Sequence, residues 1–213
     1  TALAAEFLST VHLPDEMIGG LFVWSFYNDV DSSAFFQSAY EFFSDGRSTD
    51  ATGPAAIAQL TRVLQAVPSA FIVLDGVERI QRDRSDAGGS FGKIEDGLVR
   101  QLASRVALGV NGVKCLFTSR FPFPDLAPWE RTSVQILDID RMSAADALTL
   151  LERRGLTGTR SELKQIVRAF GRHALTLDFL GRYVTTYLDG TASAAMALPE
   201  PSVESDIPQE RKL

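Results

Sequence analysis

The segment SAFIVLDGVERIQ, Ser69 to Gln81, decides how the rest of the chain is interpreted. Its four apolar residues, Phe71 to Leu74, lead without a polar interruption into Asp75 and Gly76. A short continuous apolar run bounded by turn residues is typical of a strand that is buried on both faces. The carboxylate at its end is either the first residue of a turn or a group placed to meet a cation.

Three further apolar segments predict strands, namely GGLFVWSFY (19–27), GVKCLFTSR (112–120) and VQILDI (134–139). Segments with the apolar spacing of helices lie between most of these strands, at 29–46, 53–69 and 94–108. Asp31 is a candidate cap for the first of these helices. Strands that alternate with helix-length connections predict an α/β fold with a parallel sheet.

From Ser143 onward the apolar pattern is that of helices alone, in three segments at 143–155, 159–171 and 173–188. We therefore place a domain boundary near Asp140. The predicted organisation is an α/β domain at 1–140, a small all-helical domain at 141–190, and an acidic, proline-containing linker at 191–213.

Composition excludes several classes of function. The net charge of −6 disfavours a protein that binds the phosphate backbone of nucleic acid in general. A single cysteine, Cys115, in an apolar run is typical of a reducing compartment, and we expect a cytoplasmic protein. We expect neither a membrane span nor a signal peptide. Two histidines far apart in sequence favour neither a zinc site nor a catalytic triad.

Polar residues follow three of the predicted strands, in the sequences VWSFYND, VLDGVE and LFTSR. In a parallel sheet, ligands collect at the carboxyl ends of the strands. Asp75 is a candidate ligand for Mg²⁺, and Arg120 is a candidate donor to phosphate oxygens. Glu78 is a candidate catalytic group that orients or deprotonates an attacking water. The structural alternatives are a turn residue for Asp75 and a solvated side chain for Arg120.

Four segments, in family order between Thr1 and Leu188, resemble the STAND class of P-loop NTPases, which contains NB-ARC proteins and bacterial NLR-like sensors. FIVLDGVERIQ resembles the Walker B strand of this class, and VKCLFTSRFPFPDL resembles its sensor-1 strand, which ends Thr-Ser-Arg. LFVWSFYNDVDSSAFFQSAYEFF resembles the strand and helix after the nucleotide-binding helix of this class. The small helical domain that follows in the family is similar to LTLLERRGLTGTRSELKQIVRAFGRHALTLDFLGRYV. The resemblance implies a P-loop NTPase-like α/β domain followed by a helical, ARC-like domain.

The resemblance also implies where the nucleotide and its metal bind. TALAAEFLS resembles the helix that opens at the final Ser/Thr of the P-loop, so the first strand and the P-loop glycines are expected before residue 1. Thr1 would then be a hydroxyl ligand of Mg²⁺ together with Asp75. Glu78 is the better candidate for a second acid, because Gly76 stands where plant members tend to have an aspartate.

In the helical domain, GRHALTL matches the nucleotide-contacting turn of the family, with Gly171, His173 and Ala174 as candidate contacts. Ala174 stands where the family usually has a proline, so adenine contact by this residue is in question. A structural alternative for His173 is a residue near a helix start.

The function that the resemblance implies is a switch with ADP/ATP and Mg²⁺ as cofactors, slow hydrolysis, and homo-oligomer formation on activation. The first rival is a pseudo-NTPase interaction module with the same fold and no nucleotide turnover. The second is another α/β enzyme of the Rossmann type, which is disfavoured because GGSFGK (88–93) falls in a loop rather than directly after a strand.

Overall fold

The apolar segment Phe71–Asp75 forms the central strand of a three-stranded parallel sheet. The structure, a computed structural model, describes residues 2–10, 19–67, 69–83, 91–110, 112–139 and 141–199. Within them, β1 is Leu21–Ser25, β2 is Phe71–Asp75 and β3 is Lys114–Phe117, in the spatial order β1-β2-β3. All five residues of β2 are buried, as the apolar run predicts. The prediction of an α/β fold with a parallel sheet is confirmed.

The register aligns the strands so that alternate rows face opposite sides of the sheet. Trp24, Leu74 and Phe117 form one row. Leu74 is part of the main apolar core, and Trp24 and Phe117 pack against that core. Ser25 and Asp75 are paired in the next row, on the other face and at the carboxyl ends of their strands. The register therefore places Asp75 beside Ser25 at one edge of the sheet.

The described residues of this part of the chain contain four helices: α1 (Ala2–Thr10), α2 (Ser32–Phe43), α3 (Gly53–Ala66) and α4 (Gly97–Ala107). Short 3₁₀ helices lie at Val77–Ile80 and Pro124–Trp129.

Side-chain caps fix where two of the helices begin. The side chain of Asp31 accepts a hydrogen bond from the backbone N–H of Ser33, 2.8 Å away, and Asp96 caps α4 in the same way through two N–H groups. These caps satisfy donors that the first turn of a helix leaves unpaired. The apolar faces of α2, α3 and α4 then contribute to the core on one side of the sheet.

The prediction of a fourth strand at 134–139 is wrong. Val134 forms only an isolated bridge with Glu130, and residues 135–139 have no regular structure. Ile136, Leu137 and Ile139 are between 50% and 69% exposed. A strand needs a neighbour to pair its backbone N–H and C=O groups. Within the described residues no strand lies beside this segment, so its apolar alternation does not produce one.

The chain divides into two compact units, Thr1–Ile136 and Leu137–Leu213. The second contains α5 (Ala144–Arg153), α6 (Arg160–Phe170), α7 (Ala174–Tyr187) and α8 (Ala192–Met196). Asp140, near which the sequence analysis places the domain boundary, lies outside the described residues.

The second unit has its own apolar core, to which all four helices contribute. Leu151, Ile166 and Leu177 lie fully buried in it. Helix α8 occupies residues that the sequence analysis assigns to a linker, and its buried Ala192 and Ala195 belong to the same core. The ordered helical part therefore continues beyond residue 190. Among the described residues, no helix combines the length and the apolar character that crossing a membrane requires.

Candidate functional site

Asp75 is both the end of a buried strand and the start of a turn. The residue is 5% exposed. Oδ1 accepts a hydrogen bond from the Thr118 hydroxyl at 2.8 Å, and Oδ2 accepts one from the Ser25 hydroxyl at 3.3 Å. Gly76, with a φ of +73°, then adopts the left-handed conformation that turns the chain, and its N–H donates to the Thr118 hydroxyl oxygen at 3.0 Å. A role for Asp75 at the start of a turn is therefore compatible with a role as a cation ligand.

The three residues after β3 each contact a residue at or after the end of β2. Thr118 bonds to Asp75, and the Ser119 hydroxyl donates to the side chain of Gln81. The Arg120 Nε lies 3.5 Å from Glu78 Oε1. The sequence Thr-Ser-Arg thus connects the ends of two adjacent strands, and it brings Asp75, Glu78 and Arg120 to one edge of the sheet.

Gln81 is a structural residue of this edge that the sequence analysis does not identify. It is buried, and its amide donates to the carbonyl oxygens of Gly92 and Pro122. A side chain at Gly92 would place Cβ 2.3 Å from the Pro122 oxygen, so the two backbone segments approach as closely as glycine allows. Because Gln81 also accepts from Ser119, it holds the segments after β2 and β3 together.

Glu78 lies in the first 3₁₀ helix with its side chain only 10% exposed. Its Oε1 accepts a hydrogen bond from the Tyr27 hydroxyl and is also the oxygen nearest Arg120. Its Oε2 is buried and has no hydrogen-bond partner within the described part of the chain. Buried polar atoms are usually paired, so Oε2 is suited to accept a hydrogen bond from a bound molecule.

Tyr27 follows β1 and is the second residue of the site that the sequence analysis misses. Its phenol is half-exposed, and its ring lies against Gly76. Burial raises the pKa of Tyr27, and so do the hydrogen bond to Glu78 and the negative charge of that residue, while Arg120 lowers it. The segment SFYND predicts a polar strand end. No local pattern connects Tyr27 with Glu78, because the two residues are 51 positions apart in the sequence.

The oxygens at this edge suit Mg²⁺ in kind. The Asp75 carboxylate supplies hard oxygen ligands, and Mg²⁺ commonly takes one or two carboxylates and fills the remaining positions with water and phosphate oxygens. The described residues contain no group of three His, Cys, Asp or Glu side chains that could hold a metal. Magnesium bound here would therefore depend on Asp75 as its main carboxylate. Thr1, the other predicted ligand, lies outside the described residues.

The three candidate residues of the second unit form the turn between α6 and α7. Gly171 ends α6 with a φ of +77°, and Ala174 is the first residue of α7. His173 is the N-cap of α7, with Nδ1 accepting from the N–H of Thr176 at 3.4 Å. All three are exposed. His173 thus has a capping role in the fold, and the turn presents backbone groups at an exposed helix start.

Comparison with known proteins adds no family assignment. No protein-family model matches the chain, and no curated protein matches it.

Proposed function

We propose that this chain is the nucleotide-binding module of an ADP/ATP-dependent molecular switch of the STAND class, with a P-loop NTPase-like α/β domain and a helical ARC-like domain. The observation that carries the proposal is the meeting of Asp75, Glu78 and Arg120 at the carboxyl ends of β2 and β3. A buried carboxylate, a second acid and a guanidinium at one sheet edge match the needs of a magnesium–phosphate ligand.

Asp75 would hold the metal from a position that the fold already fixes. The hydroxyls of Ser25 and Thr118 orient both of its oxygens. Magnesium, when bound, neutralises charge on the phosphate oxygens and so favours phosphoryl transfer. An acid that is already oriented loses little side-chain freedom on binding, which favours affinity.

Arg120 would distinguish ATP from ADP, because its present contact is weak enough to exchange. The guanidinium is 59% exposed and lies 3.5 Å from Glu78. An ion pair so exposed to solvent contributes only about 0–1 kcal/mol. Hydrogen bonds to a charged partner contribute roughly 1.5–3 kcal/mol, so transfer of Arg120 to a γ-phosphate oxygen is favourable. Glu78 would then accept a proton from the attacking water in a slow hydrolysis that resets the switch.

The helical unit would contribute the turn at Gly171, His173 and Ala174. A nucleotide that contacts both units favours the arrangement in which both sets of contacts form, and it shifts the population only if ADP and ATP differ in that preference. In this proposal the ADP-bound form is closed, and exchange for ATP permits assembly of a cytoplasmic homo-oligomer.

One observation favours the interaction module without turnover as a second candidate. Both Asp75 oxygens already accept hydrogen bonds, and Arg120 already contacts Glu78, so much of the strand edge is satisfied by the protein itself. A module that only binds protein partners would retain these contacts as structural ones.

The two candidates differ in how the full-length protein binds ATP and ADP in the presence of Mg²⁺. We expect Arg120→Ala to weaken ATP binding about tenfold more than ADP binding, since charged hydrogen bonds of this kind contribute roughly 1.5–3 kcal/mol. Arg62→Ala, which removes an exposed arginine from α3, is the matched control and should leave both dissociation constants unchanged. Equal losses for ATP and ADP in Arg120→Ala would contradict the sensing role. Absence of nucleotide binding by the wild type would favour the interaction module.

A further inference from the structure

The contact between Tyr27 and Glu78 has a role that neither the fold nor the resemblance assigns. We infer that Tyr27 is a positioning residue: its hydroxyl fixes the Glu78 carboxylate through Oε1, so that Oε2 remains as the oxygen that accepts a proton or hydrogen bond from a bound water. The part of this inference that concerns the water rests on the proposed function. The part that concerns the orientation of Glu78 does not.

The position of Tyr27 is determined by the backbone around it. Phe26, which precedes it, is fully buried, and the Phe26 N–H donates to the Asp75 carbonyl oxygen at 2.9 Å, which continues the pairing of β1 and β2 past their ends. The Tyr27 ring then lies over Gly76, where a Cβ would come within 2.5 Å of the ring. The absence of a side chain at Gly76 therefore allows the phenol to reach across to Glu78.

Tyr27 and Arg120 contact the same oxygen of Glu78, but they are not equivalent. The Tyr27 hydroxyl donates a hydrogen bond to Oε1, whereas Arg120 is at ion-pair distance and more than half exposed. Solvent screens such an ion pair, and the long side chain is readily redirected. If Arg120 moves to a phosphate, Tyr27 continues to hold the glutamate in place.

The other oxygen supplies the second part of the inference. The Glu78 side chain is nine-tenths buried, and its Oε2 is buried as well. This oxygen nevertheless has no hydrogen-bond partner among the described residues. An acceptor left in this condition raises the free energy of the folded state unless a bound molecule satisfies it. Since Oε1 already accepts from Tyr27 and lies nearest Arg120, Oε2 is the oxygen left without a donor from the described residues.

The first test uses the absorbance of ionised tyrosine during a pH titration of the full-length protein without nucleotide. Among the residues that the structure describes, the charged or titratable groups that act on the Tyr27 phenol are Glu78, Arg120 and Asp75. Tyr27→Phe identifies the transition that belongs to Tyr27. Glu78→Gln removes the negative charge beside the phenol, so we expect this transition to move to lower pH. An unchanged transition would overturn the inference, whatever the protein binds.

The second test measures turnover. In the full-length protein we expect Tyr27→Phe to lower kcat for ATP hydrolysis roughly tenfold, because misplacement of a reacting group is costly even when the group is present. The KM and the dissociation constant for ADP should stay within about twofold, since the phenol acts on Glu78 and not on the nucleotide. In a Glu78→Gln background, Tyr27→Phe should cause no further loss.

Tyr40→Phe is the matched control, since it removes a phenol hydroxyl from α2. An unchanged kcat in Tyr27→Phe would overturn the positioning role. A wild type without turnover, combined with the expected shift in the tyrosine titration, would reject the proposed ATPase while supporting the fixed orientation of Glu78.

Discussion

Substitution of Gly76 by alanine tests the geometry at the carboxyl end of β2 without removing any polar group. Gly76 has a φ of +73°, and an added Cβ would lie 2.5 Å from Cε2 and 2.6 Å from Cδ2 of Tyr27. The substitution should therefore have two effects, one on the backbone and one on the ring. The first is intrinsic to alanine at this φ, and the second depends on Tyr27.

The two effects have different magnitudes. A residue with a Cβ in the left-handed region costs roughly 1–2 kcal/mol. The Tyr27 ring is half-exposed and can move away, but it then loses its hydrogen bond to Glu78. A hydrogen bond contributes about 1 kcal/mol, and solvent at this position keeps the value in the lower part of the range. We expect Gly76→Ala to lower the free energy of unfolding by about 1.5–3 kcal/mol.

Denaturant unfolding of four proteins separates the terms: the wild type, Gly76→Ala, Tyr27→Ala and the double variant. In the Tyr27→Ala background there is neither a ring to displace nor a hydrogen bond to lose, so Gly76→Ala should cost only the backbone term, roughly 1–2 kcal/mol. The non-additive difference measures the approach of the ring to Gly76. Equal costs in the two backgrounds would show that Tyr27 does not lie over Gly76, and the account of the Glu78 site would fail with it.

Two further predictions concern other parts of the chain. Cys115 is partly buried against the apolar core, and burial raises the pKa of its thiol to about 12. Iodoacetamide at pH 8 should therefore alkylate the native protein more slowly than the protein unfolded in denaturant, and equal rates would contradict the raised pKa. Thr159→Ala removes the hydroxyl that caps α6 and leaves the reciprocal bond from the Thr159 backbone N–H to Glu162 in place. It should lower the free energy of unfolding by about 1 kcal/mol, whereas Ser161→Ala on the exposed surface of α6 should have little effect. The backbone N–H and the hydroxyl of Thr159 both lower the pKa of Glu162. Thr159→Ala keeps the backbone bond, so it removes only the share that the hydroxyl supplies, which is present above the ordinary pKa of a glutamate and is lost as the pH falls through the lowered value. A Thr159→Ala variant as stable as the wild type at pH 7 would contradict the cap.

The sequence was most informative where one local pattern determines one local structure. The apolar run of β2 predicted a strand buried on both faces, and Asp31 predicted the start of α2. In each case the signal comes from a few consecutive residues. The segment 134–139 shows the limit of this reasoning, because its apolar alternation requires a neighbouring strand that the described structure does not provide.

The site was predictable only in part, for the same reason. A residue at a strand end can be located from its own segment, and Asp75 and Arg120 do lie at adjacent strand ends. Tyr27 and Gln81 take their roles from side chains that are distant in sequence, Glu78 in one case and Ser119 in the other. A single sequence carries no local signal for such pairs, since tertiary packing alone brings them together.

The central claim is that Asp75 holds the magnesium of a bound nucleotide. Its most direct test is calorimetric titration of ADP into the full-length protein, with Mg²⁺ and with EDTA, for the wild type and for Asp75→Asn. The account predicts that Mg²⁺ strengthens ADP binding to the wild type and that Asp75→Asn, which keeps the size of the side chain and removes its charge, abolishes that dependence. Asp50→Asn, at an exposed loop position, should behave as the wild type does. An Asp75→Asn variant that binds ADP as tightly as the wild type, with the same response to Mg²⁺, would contradict the claim.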